Sequence, residues 1–294
     1  MYTKGRPGAS RGGFSHRVHQ DDPSCTRPCA RGRVGTMTKR RILITGSTGN
    51  VGTVLTQRLG DRYELIGHGL EADPSAHPLV LGGDLGDYDA VLALMDGIDT
   101  VVHLAGAASP ESGWDAVLEA NIIGTRNVLE AARVAGVRRV VFASSNHAMG
   151  MYDRLEQWPV YPDTLPRADS LYGVSKIFGE TLGRYYFDEH GLSFIALRIG
   201  WVSGDPTLVD EDVLHAMWLS EDDAAQVVRC AIEAKVEHGV YYAISDNPNR
   251  RWSMTNTMLD LGYRPQDSWS DEAPADEPVV EGGQTVADDW PKGS

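Results

Sequence analysis

Ile42-Leu43-Ile44-Thr45 leads without a break into Gly46-Ser47-Thr48-Gly49-Asn50-Val51-Gly52. An apolar run followed by glycines reads as a strand, a tight turn and the start of a helix. The glycines let the backbone turn sharply and approach a pyrophosphate, whose charge meets the positive end of the following helix. With amphipathic Val51–Leu59 behind it, the turn reads as the phosphate grip of a dinucleotide site rather than a plain strand–helix connection. Its spacing is G-x-x-G-x-x-G instead of G-x-G-x-x-G.

About 120 residues downstream stands Tyr172-Gly173-Val174-Ser175-Lys176. Residues four apart share a helix face one turn apart. A phenol is a poor base at neutral pH because its pKa is about 10. A lysine ammonium one turn away and the positive charge of an oxidised nicotinamide both favour the phenolate. Tyr172 can then take a hydroxyl proton while hydride leaves the same carbon, and Lys176 can also hold the nicotinamide ribose. The motif occurs by chance in many helices, so the fifth strand decides the matter. Phe142-Ala143-Ser144-Ser145-Asn146-His147 leaves that strand at the carboxyl edge, where doubly wound sheets bind ligands. Ser145 can hydrogen-bond the reacting oxygen beside Tyr172, while Asn146 and His147 offer donors and acceptors to substrate hydroxyls. The reading assigns no metal.

Working outward, the chain alternates strand and helix from Arg41 onward, which demands a parallel sheet. Strands are expected at Arg41–Thr45, Tyr63–Ile66, Leu79–Leu81, Thr100–Leu104, Arg139–Ala143 and Ser193–Arg198, with a later one at Val240–Ile244. Helices are expected at Val51–Leu59, Tyr88–Met95, Trp114–Ala135, Leu171–His190, Glu221–Lys235 and Met254–Leu261, with an acidic loop at Asp205–Asp212. The fold class is therefore α/β, a doubly wound Rossmann sheet over residues 37–200 with a small substrate-binding region at 201–267. Residues 1–36 are rich in Gly, Arg, Ser and Pro and read as a disordered basic tail. Met37 can be the true start, and a targeting arm is the alternative. Residues 268–294 read as an acidic tail that frays.

The 41 acids outweigh 27 bases for a net charge of −14. Seven bases and two acids fall in residues 1–36, a local +5 that leaves −19 on the body. Such a body repels nucleic acid and anionic lipid, so neither is expected as a partner. Lysine is scarce, 5 against 22 arginines, which suits a salt-rich cytoplasm or a high-GC genome. Cys25 and Cys29 lie in the tail and Cys230 is alone in the body, where it reads as a small buried hydrophobe rather than half of a disulfide. No apolar run reaches the roughly 18 residues of a membrane span, and no apolar signal core opens the chain. The expected setting is cytoplasmic, with a small molecule as partner and further copies of the chain in a homo-oligomer.

Around the glycine turn, Leu65-Ile66-Gly67-His68-Gly69 ends the second strand with neither the acid that holds ribose hydroxyls nor the arginine that holds a 2′-phosphate. Glu71 is near, and no Lys or Arg follows until Arg126, so NAD is expected over NADP. Asp84-Leu85 can reach the adenine edge. Leu104-Ala105-Gly106 places small residues where a cofactor would lie against backbone.

Taken together, these residues resemble the extended short-chain dehydrogenase/reductase (NAD-dependent epimerase/dehydratase) family over roughly Arg40 to Asp267. Within it the chain is similar to the branch that oxidises sugars at C1, which includes uronate dehydrogenase and the NAD-dependent glucose-6-phosphate dehydrogenase of salt-adapted archaea. Ser144-Ser145-Asn146-His147, Asn121-Ile122-Ile123-Gly124-Thr125, Leu197-Arg198-Ile199-Gly200, Trp218–Asp223 and Leu261–Asp267 carry that similarity. It implies cofactor contacts at Asn121 and Ile199 as well, and oxidation of an aldose hemiacetal to a lactone. The chain departs from uronate dehydrogenase in the loop Trp201–Met217, which has no Lys or Arg and carries Asp205, Asp210, Glu211 and Asp212. An anionic sugar would be repelled there unless Arg250 or Arg251 swings in, so a neutral hexose stands beside glucose 6-phosphate and uronate. A nucleotide-sugar 4-epimerase is the rival enzyme, and a non-catalytic NAD sensor the rival of another class. Dehydration is disfavoured because Asn146-His147 supplies no acid pair.

Overall fold

The computed structural model describes residues 39–208 and 211–269. The first half runs β1 (Arg41–Thr45), α1 (Asn50–Leu59), β2 (Glu64–Gly69), β3 (Val80–Gly82), α2 (Tyr88–Ala93) and β4 (Thr100–His103). A long helix follows in three parts: α3 (Trp114–Ala116), a π-helical stretch (Val117–Ile123) and α4 (Gly124–Ala135). Then come β5 (Arg139–Ser145), α5 (Gly150–Arg154), α6 (Leu171–His190) and β6 (Ser193–Ile199). The remainder holds β7 (Trp201–Val202), α7 (Asp212–Ala216), β8 (Trp218–Leu219), α8 (Glu221–Glu233), β9 (His238–Ala243) and α9 (Thr255–Asp260).

Seven strands form one sheet in the order β3-β2-β1-β4-β5-β6-β9, and every pairing is parallel. Alternation along β1 shows why both faces need helices. Ile42 and Ile44 join Leu55 and Leu59 of α1 and Val227, Val228 and Ile232 of α8 in one core. Leu43 points the other way, into a core with Val91 of α2, Val128 and Leu129 of α4, and Tyr186 of α6. Each such side chain contributes about 1.5–3 kcal/mol on full burial. The strand order reverses between β1 and β4, so the carboxyl edge opens a crevice there.

Helix α6 has the bounds its sequence predicts because both ends are locally specified. Ser170 Oγ accepts from Gly173 N at 3.1 Å, and Gly191 closes the other end at φ 68°. Strands β2 and β5 run past their sequence-based ends. Their ladders with β1, β3 and β6 continue (His68 opposite Thr45 and Leu81, Ser145 opposite Ile199) and override the poor strand propensity of Gly67 and Gly69. The helix expected over Trp114–Ala135 occupies that span but widens to π geometry in its middle, which aims Asn121 inward.

Beyond Gly200 the sequence signalled neither the β7–β8 pair nor α7, which begins where the acidic loop was expected to end. Cys230 is buried, and burial pushes its thiol pKa up. Ser268 Oγ donates to Asp246 O at 2.9 Å, and the Trp269 ring stacks on His215 with centroids 4.0 Å apart. The expected basic tail at 1–36, with Cys25 and Cys29, and the acidic tail from 270 onward lie outside the described residues.

Candidate active site

The crevice at the switch point is a cleft of about 1010 Å³. Its floor at one end is the glycine turn. Gly46 sits at φ +70°, and a Cβ there would lie 2.8 Å from Ala105 N. A Cβ on Gly52 would meet Gly46 O at 2.3 Å, so strand, turn and helix close on one another only without side chains at both positions. Gly49 N donates back to Gly46 O at 3.1 Å, which tightens the turn and leaves the first amides of α1 facing the cleft. Behind it, Thr45 Oγ1 pairs with His103 Nδ1 at 2.7 Å and accepts from Ala105 N at 3.3 Å. Burial drives the His103 pKa down to about 3, with the charge of Lys176 adding to the effect, so this ring is a neutral strut.

His68 ends β2 on the cleft wall. Its Nε2 lies 3.0 Å from Gly83 O, an acceptor only, so Nε2 carries the hydrogen. That leaves Nδ1 as a buried acceptor with no partner among the described residues. Burial lowers the His68 pKa and keeps the ring neutral. The end of β2 therefore carries neither acid nor cation, as its sequence indicates. A glycine cradle that any Cβ would fill, helix amides aimed at it and an unpartnered acceptor are the features a dinucleotide requires.

Nearly all sequence-predicted site residues line this cleft: Gly46, Gly49, Asn50, Val51 and Gly52 at the turn, Asp84 and Leu85 after β3, and Leu104, Ala105 and Gly106 after β4. Ser145, Asn146, His147, Tyr172, Lys176 and Ile199 line it too. Asn121 does not. Its Oδ1 accepts from Ala107 N at 2.7 Å, and its Nδ2 donates to Ala107 O at 3.0 Å and Ser175 Oγ at 2.8 Å. It pins the loop after β4 to α6 from behind.

At the other end, α6 delivers Tyr172 and Lys176. Lys176 Nζ lies 5.3 Å from the Tyr172 ring centroid and 5.1 Å from that of Phe142. Burial pushes the Tyr172 phenol up to about 12; a hydrogen bond with Ser145 pulls it down, and the Asp169 charge pushes it up further. Burial also brings Lys176 down to about 8. Desolvation thus outweighs the depression expected from the lysine. The protein alone keeps the phenol protonated at neutral pH.

Ser145 Oγ accepts from His147 N at 3.2 Å, which folds the chain after β5 back over the strand end. His147 stands edge-on to Tyr172 with ring centroids 5.8 Å apart, and its Nδ1 is 2.9 Å from Asp169 Oδ2. Asp169 escaped the sequence reading. Its side chain is buried, accepts from the neighbouring Ser170 hydroxyl at 2.9 Å, and couples the His147 ring to the cap of α6. The Asp169-Ser170 pair ahead of α6 has the form of a capping signal and was the clue available. Asn146 is 3% exposed, and both ends of its amide lack a partner among the described residues. Ser109, Trp201, Leu214 and Met217 also line the cleft and carried no sequence motif.

Among the described lining residues Lys176 is the sole Lys or Arg. The two arginines offered as partners for an anionic sugar are committed elsewhere. Arg251 pairs with both Asp153 and Asp212 and stacks 4.5 Å from the Trp158 ring centroid; Arg250 pairs with Asp246.

The sequence profile described as "NAD dependent epimerase/dehydratase family" matches residues 42–220. The chain is 40% identical over 250 residues to an L-arabinose 1-dehydrogenase (NAD(P)(+)) of Haloferax volcanii, covering 78% of this chain and 97% of the relative. It is 37% identical over 257 residues to an NAD-dependent glucose-6-phosphate dehydrogenase of the same organism, covering 82% and 98%. A solved uronate dehydrogenase from Agrobacterium tumefaciens, a mutant complexed with NAD, superposes with TM-score 0.71 at 36% identity, covering 78% of this chain and 85% of that one. Fold and site define a Rossmann-type protein with a Tyr/Lys/Ser constellation at the switch point. The chain belongs to the NAD dependent epimerase/dehydratase family.

Proposed function

We propose that this protein is an NAD-dependent oxidoreductase that oxidises the C1 hemiacetal of an aldose or aldose derivative to its lactone. The convergence of Tyr172, Lys176, Ser145 and the unpartnered Asn146 amide at one end of a cleft with a glycine cradle at the other carries this reading. Relatives named for oxidising arabinose, glucose 6-phosphate and uronates support it.

Gly46, Gly49 and Gly52, with the amides of Asn50 and Val51, hold the pyrophosphate. Asp84 and Leu85 flank the adenine, and Leu104, Ala105, Gly106 and Ile199 lie against the rest of the cofactor. NAD, when bound, supplies the hydride acceptor and a positive charge near the phenol. Tyr172 takes the proton of the C1 hydroxyl as the C1–H bond gives up its electron pair as hydride, so C1 is oxidised by two electrons and the ring ester forms. Lys176 stabilises the phenolate and holds the nicotinamide ribose. Ser145 hydrogen-bonds the reacting oxygen, and Asn146 and His147 read the other hydroxyls. Of the three sugar classes, a neutral aldose suits the wall best, because an anion would shed its water beside Lys176 alone. The neutral end of β2 favours NAD over NADP.

The test is a panel of L-arabinose, D-glucose, glucose 6-phosphate, glucuronate and galacturonate with NAD, read as NADH formation. At least one sugar reduces NAD and gives a lactone, with the neutral ones ahead. Epimerisation of a UDP-hexose without NADH release overturns the reading in favour of the rival enzyme, and NAD binding with no turnover favours the sensor. We also propose a cytoplasmic homo-oligomer, supported by the exposed apolar Ile123, Val134, Leu171, Val174 and Tyr185 on neighbouring helices. A monomeric mass in light scattering removes the oligomer.

A further inference from the structure

Glu180 takes no part in the chemistry above, yet it lies directly beneath it. Tyr172, Lys176 and Glu180 are four residues apart on α6, on one side of successive turns, and are 8%, 5% and 7% exposed. Glu180 Oε1 accepts from Ser144 Oγ at 2.5 Å and from Arg198 Nε at 2.9 Å, and Oε2 accepts from Arg198 Nη2 at 2.9 Å. Arg198 Nη1 reaches the Tyr242 hydroxyl at 3.2 Å and Pro162 O at 3.3 Å. Ser144 and Arg198 are register partners on β5 and β6. One carboxylate therefore fastens the middle of α6 to the ends of two adjacent strands, next to the point where β5 presents Ser145.

Stability alone is a weak reason for such a pair. Removing two ions from water offsets most of their attraction, and apolar replacement of both partners is often neutral or stabilising. Geometry is the stronger reason. The bidentate fork fixes distance and angle at once, and it lies two helical turns from the Tyr172 hydroxyl, with the first turn of α6 as lever.

We propose that Glu180, Arg198 and Ser144 form a positioning clamp that sets the height and rotation of α6 against β5, holding Tyr172 and Lys176 in line with Ser145. This rests on the reading of Tyr172 as the base. None of the three clamp residues needs to touch the substrate for the clamp to act.

The deciding variant is Glu180→Gln/Arg198→Met, which replaces the charged pair with neutral side chains of similar volume. It is assayed with NAD and whichever of the five sugars above turns over fastest. We expect its melting temperature to stay near wild type and NAD affinity to stay within about threefold, while kcat falls about 10- to 100-fold with a much smaller change in sugar KM, as for a sub-ångström to 1 Å misalignment of reacting groups. A folded double variant with kcat within about twofold of wild type overturns the clamp. Should the double variant not fold, Ser144→Ala decides. Since Ser144 also lines the cleft, the clamp requires kcat lowered about 3- to 10-fold with melting temperature, NAD affinity and sugar KM unchanged. An unchanged kcat, or a loss confined to KM or NAD affinity, stands against it. Full activity in Tyr172→Phe would sink the base assignment instead, which separates failure of that reading from failure of the clamp.

Discussion

The two ends of the cleft are built in opposite ways. The dinucleotide end is built chiefly from one contiguous stretch, β1, the glycine turn and α1, which closes against the end of β2 (Ser47 N donates to His68 O at 3.0 Å) and the loop after β4. The end proposed for the sugar gathers Asn146 and His147 after β5, Asp169 before α6, Trp201 of β7, and Leu214 and Met217 around α7. Arg251 then ties Asp153 of α5 to Asp212 of α7 from behind. A binding surface written mostly in consecutive residues is stable against change elsewhere, whereas one assembled from four segments shifts when any of them does. That difference allows one scaffold to keep a cofactor while its substrate varies.

The largest test of the contrast removes the hydroxyl proposed as the base. Tyr172→Phe should lower kcat by about two to four orders of magnitude, the usual loss of general acid–base help, with NAD affinity nearly unchanged by calorimetry. Retained turnover would mean the base lies elsewhere. The same phenol sets the pH response. Burial raises its pKa to about 12, so below that value the reactive phenolate is a minority that grows with pH. Sugar kcat/KM should therefore rise from about pH 6 to about pH 9, and a flat profile would show that proton removal does not limit the rate.

Next in size is Gly52→Ala, aimed at the dinucleotide end alone. A Cβ 2.3 Å from Gly46 O and 2.6 Å from Ser47 Cα meets backbone on both counts and cannot be accommodated by a rotamer change. We expect a stability loss of about 1–3 kcal/mol and a weakening of NAD binding of at least about tenfold. Sugar KM measured at saturating NAD should hardly move; a large change in it would show that the two ends are not independent.

Smaller effects belong to the sugar end. Asp169→Asn keeps the shape of the His147 partner but removes its charge, and should raise sugar KM by about 3- to 10-fold while leaving NAD affinity alone. Trp269→Ala removes the ring stacked on His215, whose neighbour Leu214 lines the cleft. It should lower stability by about 1 kcal/mol, the worth of an aromatic pair, and raise sugar KM about twofold. An unchanged KM would make Trp269 a purely structural contact.

What the sequence disclosed follows the same division. The Gly46–Gly52 turn, the bounds of α6 with Ser170 and Gly191 at its ends, and Ser145, Tyr172 and Lys176 are local signals, so they could be read from spacing. Asn121, expected as a cofactor contact, sits in the π-helical stretch and bonds to Ala107 and Ser175, partners that its spacing did not announce. Asp169, α7, the pairing of Trp201-Val202 with Trp218-Leu219 and the commitment of Arg251 all depend on segments brought together across tens of residues. Periodicity does not report such meetings. The pKa of Tyr172 escaped as well, because its direction is set by burial rather than by its lysine neighbour.

One bond crosses the division. Asn50 Nδ2, in the first turn of α1, donates to Val202 O at 3.1 Å, joining the phosphate turn to β7 over 152 positions of sequence. For anyone grafting a new sugar preference onto this scaffold, it marks where modularity stops. Residues 201–219 can be exchanged as a cassette only if the donor segment returns a carbonyl to the place that Val202 now holds. A graft that forgets it would be selected for a new substrate and lose the old coenzyme.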